Sequence, residues 1–248
     1  MLAAERQGKI LDIIQSRGSV QVEELAKELE VSPMTIRRDF MKLEDDHRIQ
    51  RCHGGAIARQ EMTYMDKQEI NIEEKERLAQ ASAVYVSPRD TVFLDAGTTT
   101  YEIAKLIMNI PEILIVTNDL EIARLVNSSN AELVMCGGRV QKSTGSVMGY
   151  YTTDMLKDYR FDIGFFGAAS INSNYEVMTP TTDKAFLKRE AFSHCERSYL
   201  VVDESKFNRN ALKRVNDLGD FTAVITNKKF TVEEERKLRE KDVNVVLV

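Results

Sequence analysis

The sequence predicts an α/β protein in two parts: a small helical module ending in a β wing, then a larger domain built on a mainly parallel sheet. Three observations lead there. Residues 1–57 carry short helical patterns that close on Gly54-Gly55, residues 58–74 are polar and weakly periodic, and from residue 75 apolar runs of strand length alternate with helical patterns. Such alternation implies parallel strands covered on both faces. The expected division is 1–57, a connector at 58–74, and 75–248.

In the first part Ile10, Ile13 and Ile14 share one helical face, and a break follows at Arg17-Gly18-Ser19. Val22, Leu25, Ala26 and Leu29 mark a second helix. After a turn at Glu30-Val31, Ser32 is the expected N-cap and Pro33 the first helical residue of a third helix, whose buried stripe is Ile36, Phe40 and Leu43. Gly54-Gly55 suits the tight turn of a hairpin. This order is a winged helix-turn-helix pattern.

In the second part the strands are expected at 91–97, 112–118, 132–138, 161–170, 198–203, 221–227 and 244–248. Helical patterns such as TTYEIAKLIMN and TVEEERKLREK separate most of them.

Composition narrows the function classes. The 248 residues carry a formal net charge of -5, so any nucleic-acid contact must be local. Cys52, Cys136 and Cys195 lie far apart with no CxxC, which points to no metal site, no disulfide framework and a reduced compartment. The amphipathic, charged start lacks a signal segment, and no apolar run reaches the ~20 residues of a membrane helix, so a soluble cytoplasmic protein is expected. With neither GxGxxG nor GxxxxGK[ST], no nucleotide cofactor is expected.

With Ile36, Phe40 and Leu43 inward, Arg37 and Arg38 point outward, and Thr35, Arg38 and Lys42 lie along one exposed strip. Such a helix fits the major groove, where Arg donates to guanine, while Ser32 and Thr35 at its N-terminus suit phosphate. Arg48, Arg51 and His53 sit in or beside the wing. Residues 1–58 hold 9 Lys+Arg against 10 Asp+Glu, and Asp39 stands beside the arginines as a local neutraliser. Composition alone therefore leaves DNA binding open. Arg6, Ile10 and Ile14, then Ser32, then Thr35 to Phe40, then Arg51-Cys52-His53-Gly54-Gly55-Ala56 closely resemble the DeoR-type helix-turn-helix across residues 3–57. The resemblance implies a repressor or activator that binds operator DNA, usually as a homo-oligomer, a dimer or larger. With few basic groups per module, oligomerisation would supply avidity.

Several strand ends in the second part are small or polar. Asp95-Ala96-Gly97-Thr98-Thr99-Thr100 opens a helix and suits a phosphate, Thr117-Asn118 and Gly137-Gly138 end two further strands, and Gly167 lies within a fourth strand pattern. Ligands of open α/β sheets bind beyond the carboxyl ends of strands, so these tips are expected to converge. The segment Val201 to Phe207 and the Asp95–Thr100 loop resemble those of ribose-5-phosphate isomerase, whose fold DeoR-family sensor domains share. By that resemblance Thr98, Thr99 and Thr100 would hold the phosphate of a phosphorylated sugar, and Asp95 and Lys206 would contact its sugar or phosphate. Asp203, beside Lys206, belongs to the same site. An active isomerase needs a placed carboxylate base. Here Phe165 to Ala169 lacks the acidic pair, the glycine cluster near Asp183–Glu190 is gone, and Leu187 or Lys188 falls near the position of the glutamate. A pocket that binds without catalysing is expected.

Overall fold

The computed structural model describes the chain except residues 1, 18, 46, 47, 53 and 59–62, and only the backbone of 15, 16, 57 and 58. It divides into two compact units: Met1–Glu61 with Arg209–Leu212, and Met62–Asn208 with Lys213–Val248.

The first unit runs α1 (Ala3–Arg17), β1 (Ser19–Gln21), α2 (Val22–Glu28), α3 (Pro33–Asp45), β2 (Ile49–Cys52) and β3 (Gly55–Ala58). Ile10 and Ile14 of α1, Leu25 of α2, and Ile36, Phe40 and Leu43 of α3 close one apolar core, each at most 1% exposed. The cap of α3 is as expected: the Thr35 N–H donates to Ser32 Oγ at 3.1 Å. β2 and β3 pair antiparallel with Cys52 opposite Gly55, and Gly54 takes the left-handed φ of 78° that the turn needs. The presumed break after α1 is instead a third strand, β1, which pairs with β3. Any Cβ on Gly55 would stand 2.2 Å from the Val20 carbonyl oxygen, so the wing can lie this close to β1 only with glycine there.

The second unit opens with two helices, α4 (Tyr64–Glu69) and α5 (Ile72–Ala83), where the sequence suggested weak periodicity up to residue 74. Thr63 and Asp66 form a capping box on α4. Then follow β4 (Thr91–Leu94), α6 (Thr98–Ile107), β5 (Leu114–Thr117), α7 (Leu120–Val126), β6 (Glu132–Met135), β7 (Arg139–Gln141), β8 (Ser146–Met148), α8 (Tyr150–Leu156) and β9 (Phe161–Phe166). The remainder is β10 (Ser170–Ile171), β11 (Glu176–Thr179), α9 (Thr182–Ser193), β12 (Cys195–Val201), β13 (Lys213–Asp217), β14 (Ala223–Thr226), α10 (Val232–Glu240) and β15 (Val245–Leu247).

Seven strands form one sheet in the order β15-β14-β12-β9-β4-β5-β6, every pair parallel. Alternation sends Val92 and Leu94 to the face covered by α5, α6 and α7, and Phe93 to the face covered by α8, α9 and α10. β7 pairs with β8, and β10, β11 and β13 form a small antiparallel sheet. Neither was expected from the sequence, although Ser170 of β10 fell within the strand expected at 161–170. The expected strand at 161–170 stops at Phe166, so Gly167 stands just past its end, not inside it.

β4 and β9 are neighbours, yet from β4 the chain builds outward to β5 and β6, and from β9 to β12, β14 and β15. This reversal leaves a crevice between the ends of β4 and β9, where open α/β sheets take their ligands.

Candidate nucleic-acid interface and effector site

α3 presents Ser32, Arg37, Arg38 and Lys42 to solvent, with Thr35 half-buried. Ser32 Oγ and Thr35 Oγ1 lie 2.9 Å apart at the helix start. Asp39 does not neutralise the outward arginines. It is 3% exposed, and it accepts Arg6 Nε at 2.5 Å, Arg6 Nη2 at 3.2 Å and Gln7 Nε2 at 3.0 Å. Asp39 thus pins α3 to α1, and the Asp39 pair holds the Arg6 guanidinium charged. Among the described residues Arg38 and Lys42 have no ion-pair partner. Arg37 reaches Glu23 of α2 at 3.1 Å with both side chains more than half exposed, a contact that water or phosphate exchanges at little cost. Arg51 of β2 donates its N–H to Glu44 Oε1 at 3.1 Å, which ties the wing to α3. His53 lies outside the described residues.

In the second unit the loop after β4 is held by the loop after β5. Asn118 Oδ1 accepts the Ala96 N–H and Asp119 Oδ2 the Gly97 N–H, each at 3.0 Å. Asn118 Nδ2 donates to the Val147 carbonyl at 3.1 Å. The Thr117 hydroxyl donates to the Leu94 carbonyl at 2.7 Å, and the Thr100 hydroxyl lies 2.6 Å from that of Asp95. Thr100, Thr117, Asn118 and Asp119 are at most 2% exposed, so these side chains shape the loop from beneath. Burial pushes the Asp119 carboxyl up to about 6, against the N–H groups of Ile122, Glu121 and Gly97 that favour its ionised form. The first turn of α6 has no side-chain cap; Thr98 upon it is buried and Thr99 half-buried.

Asp203 closes its own turn by accepting the Ser205 N–H at 2.9 Å, and Asn71 Nδ2 reaches it at 3.3 Å. Lys206 is half-buried beside it. Sequence reasoning missed Lys75 of α5, which is 5% exposed and donates to the Lys67 carbonyl. Burial lowers its pKa, the Lys206 charge lowers it further, and Asp203 and Glu102 oppose. Lys75 is thus a buried cation on the side of the sheet that carries α6, held by a backbone carbonyl. A signal existed: Lys75 shares its helical face with Leu78, Ala79 and Ser82, all buried.

A second missed residue stands at the crevice. Lys188 of α9, 8% exposed, donates to Asp95 Oδ2 and, at 2.9 Å, to the Gly167 carbonyl; the Gly167 N–H in turn donates to Asp95 Oδ2 at 3.0 Å. Gly137 and Gly138 lie farther off, at the sheet edge after β6. The Thr152 hydroxyl donates to the Gly137 carbonyl at 2.8 Å, and a Cβ on Gly138 would meet Thr152 Oγ1 of α8 at 2.1 Å and the Met148 carbonyl of β8 at 2.9 Å, so Gly138 serves packing, whereas a Cβ on Gly137 would meet open space.

Comparison with known proteins places the chain in a family. Residues 6–62 match the DeoR-like helix-turn-helix domain, and residues 70–228 match the DeoR C-terminal sensor domain. The glycerol-3-phosphate regulon repressor of Escherichia coli K12 is 32% identical over 231 residues, 92% of either chain. The lactose phosphotransferase system repressor of Streptococcus mutans is 32% identical over 235 residues, 92% of this chain and 93% of that one. Ribose 5-phosphate isomerase A from Methanocaldococcus jannaschii overlaps 55% of each chain at 18% identity and a TM-score of 0.41. Among the described residues no helix is long and apolar enough to cross a membrane. With both of its units matched and such relatives spanning nine-tenths of its length, the chain belongs to the DeoR family of transcriptional regulators.

Proposed function

We propose that the chain represses a sugar-metabolism operon in the cytoplasm, gripping operator DNA through α3 as a homo-oligomer and answering to a phosphorylated sugar or related metabolite. Residues 1–57 act as reader, 75–248 as sensor, and 58–74, which include α4, as the coupling element. The observation that carries the reading is the division of charge on α3: Arg37, Arg38 and Lys42 outward, Asp39 inward on Arg6. On the sensor side, Thr98 and Thr99 at the uncapped start of α6 and the buried cation Lys75 support an anion site. The unit binds without turnover, because the crevice holds an ammonium, Lys188, where sugar-phosphate isomerisation would need a free carboxylate base. The effector shifts operator occupancy by its differential affinity for the DNA-competent and incompetent states.

The test is fluorescence anisotropy on duplexes from the chain's own upstream region. Arg38→Ala and Arg37→Ala are each expected to weaken specific binding by about 1–3 kcal/mol. Unchanged affinity in both variants defeats the assignment of α3. Sugar conversion by the purified chain, lost with a crevice carboxylate, defeats the non-catalytic reading.

A further inference from the structure

The Lys188–Asp95 pair has no evident purpose in stability. Its side chains are 10% and 2% exposed, and burying such a pair costs enough desolvation that apolar replacements are often as stable or more so. Its location is telling. Asp95 follows β4, Gly167 follows β9, and Lys188 reaches across from α9 to bridge them at the strand-order reversal.

Hydrogen-bond capacity shows what the pair still offers. An ammonium has three donors, and Lys188 spends two, on Asp95 and Gly167. A carboxylate accepts at both oxygens, and Asp95 uses only Oδ2; its Oδ1 has no partner among the described residues. One donor of Lys188 and one acceptor of Asp95 are therefore left over on two groups already in contact. A phosphate oxygen is acceptor-only at neutral pH and meets the Asp95 charge with repulsion. A hydroxyl both donates and accepts, so a carbon chain bearing vicinal hydroxyls satisfies the two groups together.

We infer that Lys188 and Asp95 form the specificity-determining pair of the sensor, reading hydroxyl groups on the effector's carbon chain while its phosphate lies elsewhere. This rests on the sensor reading above, and it assigns to these two residues the preference for a polyhydroxylated phosphate ester over an alkyl phosphate of the same length.

Isothermal titration calorimetry on the full chain tests this with sorbitol 6-phosphate and n-hexyl phosphate, which share a carbon count and a phosphate but differ in hydroxyls. The native chain is expected to prefer the polyol ester by ~10-fold or more, the value of one or two hydrogen bonds to charged groups. Lys188→Met is expected to reduce that preference to ~3-fold or less, with n-hexyl phosphate affinity held within ~2-fold. Because Lys188→Met strands the Asp95 charge, the neutral double variant Asp95→Asn/Lys188→Met is measured alongside, with melting curves for both. Loss of preference in the double variant supports the inference. A preference that survives in both variants overturns it and leaves the phosphate site standing. If neither ester binds the native chain, the sensor reading itself fails and this inference with it.

Discussion

Asp39→Ala separates two accounts of the reader. If Asp39 served to neutralise Arg37 and Arg38, its removal would strengthen DNA binding by adding net positive charge to α3. The structure gives the opposite sign. Asp39 accepts three hydrogen bonds from Arg6 and Gln7. Its loss leaves a guanidinium that is 12% exposed with no counter-charge. Breaking a fully buried pair costs roughly 3–5 kcal/mol; Arg6 retains some water contact, so about 2–3 kcal/mol is expected here. Hydrogen exchange on the full chain reads this directly: peptides from α1 and α3 should lose protection by roughly 30- to 150-fold, the equivalent of that free energy. The double variant Arg6→Ala/Asp39→Ala should cost less than the sum of the singles by about 1 kcal/mol or more. DNA affinity should fall, because α3 loses its fixed angle to α1. Exchange altered by less than ~3-fold, singles that add within ~0.3 kcal/mol, or tighter DNA binding would each refute the reasoning.

Three further outcomes are expected. Gly138→Ala places a Cβ against Thr152 Oγ1 and the Met148 carbonyl at a backbone φ of 153°, and should cost about 3 kcal/mol, or roughly 6–12 °C in melting temperature; a shift under ~2 °C in differential scanning calorimetry would contradict the packing role. Asp119 titrates near 6 in the folded chain against an ordinary 3.8, so the folded state holds a proton more firmly than the unfolded one and loses stability as pH rises through 4 to 6. Relative to Asp119→Asn, the native chain should therefore gain on the order of 1 kcal/mol between pH 7 and pH 5, measured by urea unfolding; a difference flat in pH removes the buried-carboxyl reading. Lys75→Met should weaken binding of any phosphate ester by ~10-fold or more while leaving the melting point of the free chain within a few degrees, since it removes a buried cation whose own desolvation is unfavourable; unaltered ester affinity takes Lys75 out of the site.

Much of the fold was legible because each rule behind it acts locally. The cap at Ser32, the stripe Ile36–Phe40–Leu43 and the turn at Gly54-Gly55 are set by neighbours a few positions away, and all three stand where the sequence put them. The seven parallel strands were announced by their apolar runs, although β4, β5 and β6 are shorter than expected because the polar tips belong to the loops, and β12 begins three residues early. β1, with three residues, is too short to show a period, and it exists through its partner β3. In the sensor, Thr117, Asn118 and Thr100, singled out as contacts, brace the loop through buried hydrogen bonds, a role the sequence does not display, since a polar residue at a strand end has the same appearance whether it faces a ligand or a carbonyl. Lys75 and Lys188 were missed for the converse reason. A lysine on a helix reads as solvated unless its face is known to be inward, and the groups that draw these two inward, the Lys67 carbonyl in one case and Asp95 with Gly167 in the other, are supplied by the tertiary fold.

The bridge between Asp95 and Lys188 joins residues 93 positions apart. Contacts this distant in sequence form late, after the chain between them has lost most of its freedom. A polypeptide interrupted anywhere between β4 and α9 would carry half a receptor, and a partly assembled sheet would have none. Metabolite occupancy is thus a certificate of completed folding, and by mass action the ligand would lengthen the life of chains that had reached that point.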